Sequence, residues 1–294
     1  MPAIQTPPLD AARAVSALGE RLLSSRNADG GWGYYPGKAS RLEPTCWAVL
    51  ALGDAPADVL RRWPQEDGLL LERRDGAPNY AFHGLALLAL LDRGLDHEAG
   101  NATLISSLQR VKGTALPDRG INRQDNSIQA WSWIAGTFSW VEPTTYCLLA
   151  LKKARCAGLP VDESRIADGD RLLFDRVAIE GGWNYGNSNM LGQELPAHVP
   201  TTALGLLAVQ DHGAHDAVRK SREYLERDVL SERSSLALGL SLVALRVHGR
   251  PVDAVSTALR AQTGTTLGLG NLHAAALALY ALRTDHADAA VALR

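Results

Sequence analysis

The chain has 294 residues, 46% of them hydrophobic, and a formal net charge of -2. That content is ample for a buried core in one large domain or two small ones, and the near-neutral balance gives no electrostatic reason to expect a nucleic-acid or anionic-membrane partner. Cys46, Cys147 and Cys156 have neither disulfide-framework nor metal-ligand spacing, the first ten residues lack the basic and apolar regions of a signal peptide, and runs such as 85–91 are too short to span a bilayer, so a reducing, cytoplasmic location is expected.

In chain order, residues 9–25 place Val15, Leu18, Leu22 and Leu23 on one face of a half-exposed helix, stopped by the turn from Asn27 to Gly31. Trp32 then packs back. Glu43 and Pro44 lead into an apolar helix over 45–53, with Thr45 as its candidate cap. A short helix near 57–63, a charged loop at 72–76 and a second apolar helix over 80–91 follow. A helix over 97–111 precedes the longest irregular stretch, 112–127, where Pro117 and Gly120 discourage regular structure. Trp131, Trp133 and Trp140 come before a third apolar helix over 144–157. The pairs 163–177 with 200–212, 215–228 with 235–248, and 251–262 with 271–283 complete the chain. No stretch shows strand alternation.

Residues 30–52, 136–151 and 181–209 repeat one order: a Gly-Trp or Gly-rich turn, a polar loop, a Pro-Thr step and an Ala/Leu-rich helix. The apolar helices end at Leu52, Leu90, Leu151, Val209, Leu245 and Leu282, in steps of 38, 61, 58, 36 and 37 residues, giving six units. Such units bury their apolar faces only against neighbours. Outer helices are amphipathic, whereas inner ones such as LALGLSLVAL are apolar all round. The expected fold is therefore all-α: an (α/α)6 toroid of six helical hairpins, with residues 1–294 as one domain.

This repeat resembles the one shared by squalene cyclases, related terpene cyclases and the β subunits of protein prenyltransferases. LLSSRNADGGWG and LLFDRVAIEGGWN partly match the QW motif of the cyclases, with Arg26 and Arg176 near the place of the Gln; Gln262 keeps the Gln without the Trp. The resemblance covers essentially the whole chain and implies a toroid with a central apolar cavity, although such repeats are scaffold and do not specify an activity. Class II cyclases protonate an alkene from the Asp of a DxDD motif kept protonated by burial. The chain has no DxDD; its nearest cluster, Asp168-Gly169-Asp170, lies on an outer helix. Full-length squalene cyclases resemble two such barrels joined, and this chain holds one. Protein prenyltransferases bind zinc through an Asp, a Cys two residues later and a His. Glu232-Arg233-Ser234 and His273 stand at those places, so no zinc and no other cofactor is expected. Lanthionine-forming cyclases share the shape but need a Cys-His zinc pair that is not found here.

In such a ring the inner helices begin at one end, so Glu43, His83, Glu142, His198, Glu232 and His273 converge on the mouth. Glu142 and Glu43, in matching Glu-Pro-Thr steps, and His83 are the candidate catalytic groups. A Glu at a helix N-terminus also offsets the dipole, and a lone His in an apolar helix is commonly a core residue. Trp32, Trp140 and Trp183 occupy the aromatic place of the repeat and read as packing anchors. Trp47, Trp131 and Trp133 fall outside it and, with Tyr146, His198 and His273, are candidates for binding substrate in the cavity. Arg41, Arg119 and Arg123 are candidates for positive charge at the mouth. The expectation is a protein acting on or holding an isoprenoid or other hydrophobic molecule, by metal-independent acid-base chemistry if it is an enzyme. The alternative is a non-catalytic toroid that binds a protein partner or a lipid-like ligand.

Overall fold

A computed structural model describes residues 9–53, 58–92, 99–117, 123–283 and 290–293. Among them are twelve α-helices: α1 (Ala11–Ser24), α2 (Leu42–Leu52), α3 (Asp58–Arg61), α4 (Tyr80–Leu91), α5 (Ala99–Arg110), α6 (Val141–Cys156), α7 (Glu163–Asp175), α8 (Val199–Ala208), α9 (Asp216–Asp228), α10 (Ser235–Val247), α11 (Asp253–Leu269) and α12 (Leu272–Leu282). The even-numbered helices are the inner ring. Each packs on the next, and α12 packs on α2, so the ring closes as six hairpins. α2, α4 and α12 are buried almost throughout, whereas α1 buries one stripe, Ala14, Leu18 and Leu22. No helix among the described residues is long and apolar enough to cross a membrane.

Neighbouring modules are joined at the mouth by backbone. The first amide of each of four inner helices donates to a carbonyl in the loop of the module that follows it around the ring: Leu42 to Glu72 (2.9 Å), Tyr80 to Trp133 (3.0 Å), Val141 to Tyr185 (2.9 Å) and Leu272 to Tyr34 (2.8 Å). The last of these closes the ring at the mouth. At the other end, Arg283 donates to the Ala51 carbonyl at 2.8 Å. A neighbour's carbonyl satisfies the otherwise orphaned first donor of α2 and α6, which begin without a side-chain cap; α4 and α12 have this bond together with an Asn cap, Asn79 and Asn271, and α8 has no side-chain cap. α2 and α6 therefore start three residues before the expected points, at Leu42 and Val141, and place Pro44 and Pro143 inside the first turn, where a missing N–H costs nothing. Thr45 is not the cap.

Thr45 instead holds a tryptophan. Its hydroxyl accepts from the Trp32 amide at 3.0 Å, while the Trp32 indole donates to the Leu22 carbonyl at 2.8 Å. Thr202 and Trp183 repeat this geometry, with the Trp183 indole on Leu173 O at 2.7 Å. In the third module the partner of Thr144 is Trp131, whose indole reaches Leu108 O at 2.9 Å. Trp131, expected to line a cavity, is thus the anchor, and Trp140, expected to be the anchor, is the residue before α6. The indole bond spans 10 residues in modules one and four but 23 in module three, where the long loop is inserted ahead of Trp131. Arg165 lies over the Trp131 ring at 4.2 Å and Arg26 over Trp32 at 5.4 Å.

Two short hairpins correct the expectation of no strand. β1 (Gln65–Glu66) pairs with β2 (Leu69–Leu70), and β3 (Asn189–Met190) with β4 (Gln193–Glu194). Both turn on two residues of positive φ, Asp67-Gly68 and Leu191-Gly192, and two-residue strands are too short to alternate visibly. α11 also runs past its expected end at Gln262, to Gly270 in the left-handed conformation (φ 71°). The expected helix starts at 57 and 97 lie outside the described residues, as does Arg119.

The end opposite the mouth holds a buried ammonium. Lys152 Nζ, with a fully buried side chain, contacts Asp170 at 2.7 Å, Asp211 at 2.6 Å and the Ala208 carbonyl at 3.0 Å, which ties α6 to α7 and α8. Asp168 pairs with Arg165 at 2.8 Å. The Asp168-Gly169-Asp170 cluster is therefore part of the scaffold.

The corrected frame makes a direct prediction. Trp131→Ala empties a fully buried site and loses the indole bond, and should cost about 3–5 kcal/mol, while Trp140→Ala, at a part-exposed site, should cost about 1 kcal/mol or less. Urea unfolding of the two variants checks this order.

Candidate acid site at the mouth

Because the inner helices share one register, their second residues form one layer. Three of these are Glu43 on α2, Glu142 on α6 and His273 on α12. Glu43 is buried and its Oε2 accepts the Tyr34 hydroxyl at 2.5 Å; His273 Nδ1 lies 3.7 Å from the same oxygen. The Tyr34 ring meets His273 edge-on at 6.1 Å, and His273 Nε2 is buried without a partner. Burial first, and then the charge on Glu43, push the Tyr34 hydroxyl far above its ordinary range, so it stays a donor.

Glu142 differs in having no hydrogen bond or ion pair to its carboxyl among the described residues. Burial, followed by the negative charge of Glu43, raises its pKa to about 7. One helical turn deeper, Trp47 and Tyr146 come together across the axis from α2 and α6, which are not ring neighbours, and Tyr280 meets Trp47 edge-on at 5.8 Å. The Trp47 indole N–H approaches the Tyr146 hydroxyl without reaching hydrogen-bond geometry. Trp47, Tyr146 and Tyr280 are 2%, 4% and 4% exposed, so aromatic rings close the axis directly beneath the carboxylates. Burial and then Glu142 and Glu43 push the Tyr146 hydroxyl well up, keeping it neutral.

Two open clefts flank this layer. One, of about 470 Å³, is lined by Tyr34, Tyr35, Lys38, Arg41, Arg73 and Asn271. The other, of about 550 Å³, includes Phe138, Trp140, Tyr185, Met190, Leu195 and His198. The candidate residues thus separate. Glu43, Glu142, Trp47, Tyr146 and His273 come together; His198 lines the second cleft, with its ring 5.4 Å from Tyr185. Trp133 packs edge-on against Phe82 at 5.9 Å, between modules two and three. Trp131 is a scaffold anchor.

His83 is a second correction. It is fully buried, Nδ1 accepts from the Leu70 amide at 3.1 Å, and Nε2 donates to the Leu104 carbonyl at 3.0 Å. With both nitrogens committed it latches β2 and α5 onto α4, and burial lowers its pKa to about 4. Nor do the residues at the expected zinc position fit a metal: Ser234 spends its hydroxyl capping α10, and His273 faces Glu43. Asp170, Asp211 and His212 have ligand-like spacing, but the Lys152 ammonium already contacts both carboxylates. Trp140, read from the sequence as a packing anchor, is the functional candidate that the sequence reading misassigned. The available signal was Trp-x-aromatic, in Trp32-Tyr34, Trp131-Trp133 and Trp183-Tyr185.

No protein-family model matches the sequence, and no curated protein matches it. Solved structures do. The type II terpene cyclase MstE from Scytonema, as a variant in complex with geranylgeranyl dihydroxybenzoate as substrate, matches with TM-score 0.57 and 16% identity, over 95% of this chain and 97% of that one. Another variant, in complex with merosterolic acid A as product, matches with TM-score 0.54 and 16% identity, over 92% and 96%. A glycosidase variant matches with TM-score 0.54 and 13% identity, over 92% and 95%. The chain has the helical toroid fold of type II terpene cyclases, and the glycosidase shows that this fold is not tied to one chemistry.

Two predictions follow from the titrating groups. Glu142 binds a proton in the folded state from its ordinary range up to about pH 7, so its contribution to stability falls as pH rises through that window. Glu142→Gln should therefore stabilise the fold at pH 8 by about 2 kcal/mol relative to its effect at pH 5, and in ¹³C-carboxyl NMR Glu43→Gln should lower the Glu142 midpoint. His83 has the opposite sign: unfolded chains bind its proton below about 6.5 and the folded protein only below about 4, so stability drops as pH falls between those values. The acid dependence of urea midpoints should flatten in His83→Phe, which should also lose about 3 kcal/mol at pH 7 from the stranded Leu70 and Leu104 groups.

Proposed function

We propose that the protein is an acid-base catalyst acting on a hydrophobic, isoprenoid-like molecule at the mouth of the drum, with Glu142 as proton donor and Glu43 as the charged member of the pair. The observation that carries this is the Glu142 carboxyl: partly buried, unpartnered, raised to about 7, and set above an aromatic floor. A carboxyl tuned to the operating pH serves both as donor and as acceptor. Protonating an unactivated alkene calls for a stronger acid. The tuning suits a substrate oxygen, such as an allylic alcohol or an epoxide. Glu142 gives its proton to that oxygen as a C–O bond breaks, leaving a cation on the carbon skeleton. Loss of a proton from the carbon skeleton to the Glu142 carboxylate gives an alkene and restores the acid. Tyr34 and His273 position Glu43, whose charge keeps the Glu142 proton in place near neutrality.

A second reading is favoured by the closure of the axis under the carboxylates: a toroid that binds a lipid-like ligand or a protein without turnover. Incubation with C15 and C20 isoprenoid alcohols and epoxides, read by mass spectrometry, separates the two. Conversion that falls by about 10²–10⁴ in Glu142→Gln is expected of the first. Undiminished conversion in that variant would rule out the assignment, and binding without conversion would leave the second reading.

A further inference from the structure

We infer that the hydrocarbon part of the ligand lies beside the drum axis, in the cleft between the loops of the third and fourth modules, and that the ligand is uncharged. This rests on the assignment of Glu142 above. The axial route ends at Trp47, Tyr146 and Tyr280, which leave almost no exposed surface below the carboxylates. The lateral cleft measures about 550 Å³, within the roughly 300–1,000 Å³ range of small-molecule sites.

The walls of this cleft are mostly rings and aliphatic groups, with Asn126, Asn184 and Asn187 as neutral polar members. Phe138 and Trp140 pack at 4.3 Å, and Tyr185 and His198 at 5.4 Å. Met190 and Leu195, from the β3–β4 hairpin and the residue after it, supply the outer side. Among the described residues no Asp, Glu, Lys or Arg lines it, in contrast to the neighbouring cleft with Lys38, Arg41 and Arg73. An anion placed here would give up water without gaining a cation, whereas an unsaturated hydrocarbon loses nothing and gains ring contacts.

The cleft also lies against the start of the helix that carries the acid. Trp140 is the residue before α6 and Glu142 is the second residue of α6; the Val141 amide between them donates to the carbonyl of Tyr185, on the opposite wall. A ligand filling the cleft therefore brings one end to the rim where Glu142 stands. Gly186 keeps the wall in this shape, since a Cβ there would meet the Trp140 ring at 3.3 Å.

Isothermal titration with farnesol, an uncharged C15 alcohol, tests the inference without requiring turnover. Wild-type protein should bind farnesol, and Met190→Asp, a change at an exposed hairpin residue that leaves the core intact, should weaken binding by about tenfold or more, as should Trp140→Ala. Glu142→Gln should bind within about twofold of wild type. Absence of farnesol binding by the wild type, or unchanged affinity in Met190→Asp, overturns the lateral site. Failure of the acid assignment has a different signature: farnesol binding that depends on Met190 and Trp140, with conversion unaffected by Glu142→Gln.

Discussion

The structure depends on a single backbone hydrogen bond repeated around the mouth: the first amide of an inner helix donated to a loop carbonyl of the following module. That bond satisfies a first-turn amide that the helix itself leaves without a partner. It also fixes the height at which each inner helix starts. With four of the starts set in this way, including the one that closes the ring between Leu272 and Tyr34, the second residues of α2, α6 and α12 are held in one layer, within which His273 and Glu43 approach to 3.7 Å. The Thr-to-Trp contacts behind this layer, Thr45 with Trp32, Thr144 with Trp131 and Thr202 with Trp183, lock each loop onto the helix it precedes.

The layer brings like charges together, which by itself is unfavourable. Helix N-termini offset part of the cost, because their partial positive charge favours a carboxylate. The remainder divides unequally. Glu43 has a hydroxyl donor and an imidazole near one oxygen, and Glu142 has neither. With no donor on its carboxyl, Glu142 has its pKa raised by burial first and then by the charge of Glu43.

Much of this architecture was legible in the sequence, because apolar inner helices recurring six times, in steps of 36 to 61 residues, leave few alternatives to stacked hairpins. The convergence of Glu43, Glu142 and His273 also followed from their shared place at the helix starts. What escaped was whatever depended on an inserted loop or a side-chain contact. Trp140 follows a Gly and closely precedes a Pro-Thr step, so it took the place that belongs to Trp131, although Trp131, like Trp32, stands 12 residues before its Pro; the helix partner of Trp131, Leu108, lies across the longest loop. His83 broke the pattern of its helix and so drew attention, but its two backbone partners are 13 and 21 residues away and come from elements that periodicity does not place. The hairpins were hidden by length, since two residues cannot show alternation.

The two ends of the drum set a comparison that decides what the mouth is for. Each end gathers two carboxylates and a histidine: Glu43, Glu142 and His273 at one, Asp170, Asp211 and His212 at the other. At the lower end Lys152 contacts both carboxylates, and His212 is 3.1 Å from Asp170, so opposite charges are paired and the result is a tether between helices. At the mouth no lysine or arginine pairs with Glu142 among the described residues, and Arg41, the nearest in sequence to Glu43, is engaged with Glu72 at 2.7 Å. A fold that supplies a buried lysine at one end has no chemical difficulty in supplying one at the other. Leaving Glu142 without a cation costs stability above neutral pH, and this difference between the two ends is what motivates the role proposed for its proton.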